Sequence, residues 1–339
     1  MSYNPKSTSQ YGARKKRPPA PAIYHQKISP MLVQDGTKAD IKDPKKDETR
    51  KYAGSRTAGI KDYDSVQLIG SRNWVNDYGL KHPEIVAEVK ALPVDRAIFD
   101  CEFTFFKKGT DRDYFLNALA NDEKIQEEGV EAKLVIFDVL YVDDEDLRGL
   151  PYKDRMEILK TIIPKNTPHI IVPDSVRGVQ AKETQFKELE KRKLEGVVLK
   201  DLDSPYRQGA RTPEWLKVKN WKSDEAIVVG YTKGEGVRAS TFGSLILAQR
   251  DKKGQLHYVG RTAGLKNSEL GAMLKKMKSM QAKAPQVVVP GDVNVQGWVQ
   301  PKMVIEVKFL NRTPNGILRM PDFLRERPDK PATQVKLPD

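Results

Sequence analysis

Two short stretches carry the chemistry this chain can offer. Lys51-Tyr52-Ala53-Gly54-Ser55-Arg56 sets a lysine and an arginine around a glycine, and Trp215-Leu216-Lys217-Val218-Lys219 sets two lysines two positions apart in a strand-like run. Successive strand residues point to opposite faces, so Lys217 and Lys219 share a face with Trp215. Two cations on one face are rarely buried without an anionic partner, and a phosphate satisfies both. Further charged residues stand singly in or beside β-rich runs: Arg56, Arg72, Glu102 and Glu195. Alone, each has a plainer reading: Lys51 to Arg56 as a basic turn, Phe137 as a core residue of an apolar strand, Glu195 as a solvated end after a lysine-rich helix. No Walker-type glycine loop is present, and Gly234-Glu235-Gly236 lacks the third glycine of a dinucleotide fingerprint. A nucleotide would therefore be held in some other way.

The elements that must position these residues are short and β-rich. Ser65 to Ile69, Ala97 to Phe105, Lys133 to Tyr141, Gly196 to Lys200 and Trp215 to Lys219 read as strands from their β-branched and aromatic content. Pro83 to Ala91, Tyr152 to Ile163 and Lys182 to Arg192 show apolar residues at helical spacing. A polar connector at Asn220 to Glu225 marks a boundary. Beyond it Ala226 to Tyr231, Gly243 to Gln249, Leu256 to Arg261 and Met303 to Leu310 form short strands with glycine turns, interrupted by one helix at about Ser268 to Gln281. That pattern predicts a small β-barrel. The Met273, Leu274, Met277, Met280 stripe reads as core rather than as a partner groove.

Composition narrows the field. The chain has 339 residues, 38% hydrophobic and 31% charged, with a net charge of +13; its length suggests about two domains. No apolar run approaches the ~20 residues that cross a bilayer, so no membrane partner is expected. The single cysteine, Cys101, excludes a disulfide framework and a four-cysteine zinc site, and four scattered histidines make no metal cluster. A reducing, cytoplasmic setting is expected. The positive charge points to a polyanion. Residues 1–28, with the block Arg14-Lys15-Lys16-Arg17, read as a flexible basic arm, either contacting phosphates or simply solvated.

The order and wording of these pieces resemble the ATP-dependent DNA ligases of the covalent nucleotidyltransferase superfamily. Lys51 to Arg56 is similar to that family's Lys-x-Asp-Gly-x-Arg signature except at Ala53. Ser71-Arg72-Asn73, Phe99-Asp100-Cys101-Glu102, Phe137 to Tyr141 with Leu147 and Pro151, Glu195 to Lys200, Trp215 to Lys219, Phe242 to Leu245 and Arg327-Pro328-Asp329-Lys330 follow as the later segments, collinear from about Ser29 to Ala332. Cys101 stands in place of a glycine, and Thr49 where a glutamate commonly precedes the lysine by two residues.

The resemblance implies an α+β fold: an adenylation domain of antiparallel sheets and helices over 29–222, followed by an OB-fold β-barrel over 223–339. It implies that Lys51 attacks the α-phosphate of ATP to leave a lysyl-adenylate. The AMP then passes to the 5′-phosphate of a nick in double-stranded DNA, and the 3′-hydroxyl displaces it. Arg56, Lys217 and Lys219 would join Lys51 in catalysis, depressing its pKa and stabilising phosphoryl charge. Phe137 would stack adenine, Glu102 would hold the ribose, and Glu195 with Glu102 would hold Mg²⁺. Arg72 would grip the nick phosphate. Arg327, Asp329 and Lys330 would close over pyrophosphate, and Lys233, Arg238 and Arg261, with Arg56 and Arg72, would meet DNA. The chain would act as a monomeric clamp hinged near Asp224, of compact phage, viral or bacterial type. NAD is not the expected donor, because nothing in the chain corresponds to a nicotinamide-binding domain or a four-cysteine module. An RNA ligase or capping-type nucleotidyltransferase is the alternative within the superfamily, and Ala53 motivates a catalytically impaired nick-binding protein.

Overall fold

The computed structural model describes residues 18–71, 74–114, 116–313 and 315–338, in two units, Met1–Lys219 and Asn220–Asp339. The basic block 14–17 and Arg72 lie outside the described residues.

The first unit carries two sheets. The larger is centred on Arg96–Lys107 and Val130–Val142, whose near-continuous apolar sequence suits strands covered on both faces. They pair antiparallel from Ala97 opposite Val142 to Lys107 opposite Val130, and Gly54–Asp62 and Ser65–Gly70 extend the sheet beside Arg96–Lys107. Helices Pro83–Lys90 and Tyr152–Ile162 deliver Ile85 and Val89, and Met156 and Leu159, at three- and four-residue spacing into the same core as Phe99, Phe103 and Leu134. Each such fully buried side chain contributes roughly 1.5–3 kcal/mol. Pro83 at the first helical turn loses no hydrogen bond there, since that N–H would be unpaired anyway.

The smaller sheet runs in the order Leu32–Asp35, Arg211–Lys219, Gly196–Asp201, Lys46–Arg50, Ser175–Val176. Its strands alternate. Leu216 and Val218 pack with Val197 and Leu199 against Phe186 and Leu189 of helix Val179–Lys191. Lys217 and Lys219 therefore occupy the opposite face, as the period of two requires. On the same principle Glu48 lies between Asp47 and Thr49 in the middle of Lys46–Arg50 and is fully buried, with neither carboxylate oxygen hydrogen-bonded.

The predicted arm needs correcting at its inner end. Ala22–His25 forms a 3-10 turn, and Tyr24 and Ile28 are buried in the main core, Tyr24 edge-on to Tyr141 at 6.3 Å between ring centroids. The carbonyl of Pro18 also accepts from the Arg96 guanidinium. Two apolar side chains among polar ones suffice to fasten this segment, a signal that average composition hides.

The second unit is an antiparallel sheet ordered Leu256–Thr262, Leu245–Arg250, Lys222–Thr232, Val295–Phe309, Gln281–Ala282, with Asp322–Glu326 also on Val295–Phe309. Lys222–Thr232 divides its apolar residues between two cores: Ala226 and Val228 in one, Ile227 and Val229 in the other. Helix Asn267–Ser279 covers the first, burying Met273 and Met277, so the methionine stripe is core. The fold is the α+β arrangement expected: mostly antiparallel sheets with helices in the first unit, then a barrel-type β unit.

Candidate active site

Lys51 leaves the last residue of Lys46–Arg50 in the smaller sheet, and three residues later the chain enters the larger sheet at Gly54. The lysine thus sits in the crossover between the two sheets. Its amide donates to the carbonyl of Gly196 at 2.9 Å, and Gly196 has φ of 130°, a conformation that favours glycine. Gly54 is required on separate grounds: a Cβ there would lie 2.3 Å from the Phe103 carbonyl oxygen.

The Lys51 ammonium meets Glu195 Oε1 at 3.0 Å, both side chains largely buried. Burial alone would lower the lysine pKa. Glu195, Glu102 and Asp113 outweigh it and hold the pKa above the ordinary lysine value. The expectation of a depressed nucleophile pKa is therefore corrected: the carboxylates around the amine outweigh its burial. Depression falls instead on Lys219, through burial first and then repulsion from Lys51 and Lys217 against the pull of Glu195. Lys217 pairs with Asp35 at 3.3 Å.

Arg56 faces Glu102 across the Gly54–Asp62 and Arg96–Lys107 pairing. Its fork is bidentate on Asp100 and also donates to the Met31 carbonyl at 3.1 Å, while Tyr206 donates to Asp100 at 2.6 Å. Asp100 raises the arginine pKa further over the opposing effect of burial. This arginine is a fixed wall of the pocket rather than a free fork for phosphate, a correction to its predicted phosphate and DNA role. Burial pushes Glu102 up to about 7, with Lys51 and Arg56 pulling the other way. Lys51, Arg56, Glu102, Phe137, Thr49 and Trp215 line one pocket of the first unit.

Sequence reasoning missed one pocket residue of consequence. Lys200 ends the Glu195 to Lys200 segment, is 2% exposed, and donates to the Phe137 carbonyl at 2.9 Å. Its ammonium lies 4.1 Å from the Trp215 ring centroid and 4.6 Å from those of Phe137 and Tyr152. Burial pushes its pKa down to about 7, against Asp138 and Asp100. Lys200 points to the same side of the smaller sheet as its cross-strand partner Trp215, so the strand period was the available signal. The Arg56 guanidinium stands 4.6 Å from the same Phe137 ring, so cations from two strands fix the aromatic wall.

The remaining predicted residues lie in the second unit. Arg327 is bonded to Asp329 at 2.8 and 2.9 Å and to Glu225 at 2.7 Å, and Lys330 reaches Glu225 at 3.5 Å. Arg238 donates to the carbonyls of Gly243, Ala263 and Leu265 at 2.9–3.2 Å. It pins three loop positions, which corrects its expected role as a phosphate contact. Lys233 is an exposed cation, and Arg261 is exposed with Asp292 at 3.5 Å.

No cluster of three or more metal-ligating side chains occurs among the described residues. Glu102 and Glu195 both act on the Lys51 amine and are the carboxylates that could hold Mg²⁺, which takes one or two carboxylates and completes its shell with water and phosphates. No helix among the described residues is long and apolar enough to cross a membrane.

Comparison with known proteins agrees with this arrangement. The multifunctional non-homologous end joining protein LigD of Mycobacterium bovis is 29% identical over 314 residues, covering 91% of this chain and 39% of its own length. A DNA ligase of Thermococcus onnurineus is 29% identical over 296 residues, 83% of this chain and 51% of its own. The chain thus spans about two-fifths to a half of these relatives. A solved Lig E DNA ligase shares the fold, with a TM-score of 0.57 at 19% identity over 88% of this chain and 99% of that one. Residues 30–219, which hold Lys51 and its whole pocket, match the ATP dependent DNA ligase domain, and 238–330 match the ATP dependent DNA ligase C terminal region; the chain belongs to the ATP-dependent DNA ligase family.

Proposed function

We propose that this chain is an ATP-dependent DNA ligase that seals 5′-phosphate/3′-hydroxyl nicks in duplex DNA through an adenylate on Lys51. One observation carries the reading: a lysine amine held on Glu195 in the crossover between two sheets, at the mouth of an aromatic-walled pocket. Lys51 rests as an ammonium, so it must shed a proton before its lone pair can attack the α-phosphorus and break the bond to pyrophosphate. Glu195 holds the amine in place at 3.0 Å until that proton is lost to solvent. Phe137, braced by Lys200 and Arg56, would offer a ring for adenine, and Glu102 would hold a ribose hydroxyl. Lys217 and Lys219 face the same side and support the charge that grows on the phosphoryl oxygens. Glu195 and Glu102 would hold Mg²⁺, which when bound adds positive charge at those oxygens.

The sealing step, the nick and the second unit's part in gripping the duplex belong to the same proposal, as does a monomer working in a bacterial or phage-infected cytoplasm. The DNA ligase family matches disfavour the RNA-ligase and capping alternatives and the impaired-enzyme reading. A nicked duplex with a labelled 5′-phosphate, incubated with the protein, ATP and Mg²⁺, should be joined. Failure to join it while pre-adenylated nicks are also left open would refute the reading.

A further inference from the structure

Position 53, two residues past the lysine, carries a methyl group rather than a carboxylate, and its backbone amide donates to a carboxylate from elsewhere in the chain. Asp113, 60 residues along the chain, comes in on the short strand Asp113–Tyr114 paired to Arg96–Lys107. Its Oδ2 accepts from the Ala53 amide at 2.6 Å, and its Oδ1 is in a very short ion pair with Arg50. The Asp113 side chain is 3% exposed. The Ala53 carbonyl is tied in turn by the Thr104 hydroxyl at 2.7 Å. Arg50 also donates to the Asp111 carbonyl at 2.8 Å and stacks over Tyr52 at 4.7 Å. The residues on both sides of Lys51 are therefore tied to one buried carboxylate.

We propose that Asp113 stands in for the missing carboxylate of position 53, acting as a positioning residue that fixes the Arg50 to Ala53 turn so that the Lys51 amine faces the α-phosphate. A short acidic side chain at 53 can itself bond to neighbouring backbone amides, so the two sources of negative charge are alternatives for one place. Present together, they repel. The inference rests on Lys51 being the adenylated residue.

The test is a four-corner cycle of the wild type, Asp113→Ala, Ala53→Asp and the double variant, with Asp113→Asn and Lys51→Ala alongside. Each is stripped with pyrophosphate, then labelled from α-labelled ATP and Mg²⁺ in single turnover, with melting temperature checked throughout. Asp113→Ala should label about 10-fold or more slowly at saturating ATP, since small misplacements of a reacting group cost that much. Its half-saturating ATP should change by less than about 3-fold, the signature of lost alignment rather than lost binding. Asp113→Asn, which keeps an oxygen for the Ala53 amide but not the charge on Arg50, should fall between. Ala53→Asp should slow labelling when Asp113 is present and restore it when Asp113 is alanine. A purely structural role for Asp113 would not produce that reversal of sign. The proposal is overturned if folded Asp113→Ala labels at the wild-type rate, or if Ala53→Asp has the same effect in both backgrounds. Label persisting in Lys51→Ala would instead refute the ligase reading beneath it.

Discussion

The charge state of Lys51 in the resting protein is set by its nearest carboxylate, not by the lysines counted in sequence. Glu195 at 3.0 Å, with Glu102 and Asp113, outweighs the effect of burial, so activation has to come with the substrate, which changes what surrounds the amine. Lys200 makes the complementary point, because a buried amine among three rings has one hydrogen-bond acceptor among the described residues, the Phe137 carbonyl. Lys200→Met should keep the packing but lose that bond and its grip on the Phe137 strand. A hydrogen bond from such a group contributes about 1.5 kcal/mol to stability, so the denaturant midpoint should fall by the equivalent amount, with labelling at saturating ATP largely retained. The types and order of the site residues were legible in the sequence. Their partners were not, because Asp100, Tyr206 and Asp113 reach Arg56 and Ala53 only through folding.

Strand alternation is where sequence and structure agree most closely. Leu216 and Val218 inward with Lys217 and Lys219 outward follows from a period of two, and Met273 with Met277 follows from 3.6. The same alternation places Glu48 inside, which no hydrophobic pattern would assign. Burial there pushes its pKa up to about 8, with Lys182 opposing. A carboxyl whose folded pKa is raised stays protonated in the native state while the unfolded chain ionises above its ordinary pKa near 4.5. The unfolded state then binds fewer protons, so stability falls as pH rises from about 4.5 toward 8. Glu48→Gln should remove that loss. Its melting temperature should exceed that of the wild type by more at pH 8 than at pH 5. A constant difference across this range would mean that Glu48 is ionised in the folded protein.

At the scale of the whole chain, the net charge of +13 points to a polyanionic partner but not to the cations that would meet it. Arg238 spends its guanidinium on three carbonyls of its own unit, whereas Lys233 stands exposed. Lys233→Ala should lower the salt dependence of binding to nicked duplex by about one unit of log–log slope. Arg238→Ala should leave the slope alone and lower stability by about 2 kcal/mol through lost hydrogen bonds, read as an earlier denaturant midpoint. Composition changes at the polar connector Asn220 to Glu225, and the division into units falls between Lys219 and Asn220. The packing of Tyr24 and Ile28 was not legible in composition, since two side chains do not move an average.

The adenylation chemistry depends on which atom takes the nucleotide. The direct measurement is peptide mapping of the protein after reaction with α-labelled ATP and Mg²⁺. The expected result is acid-labile AMP on the peptide that contains Lys51, and none in folded Lys51→Ala. AMP on another residue, or undiminished label in Lys51→Ala, would contradict the assignment of Lys51 as the nucleophile.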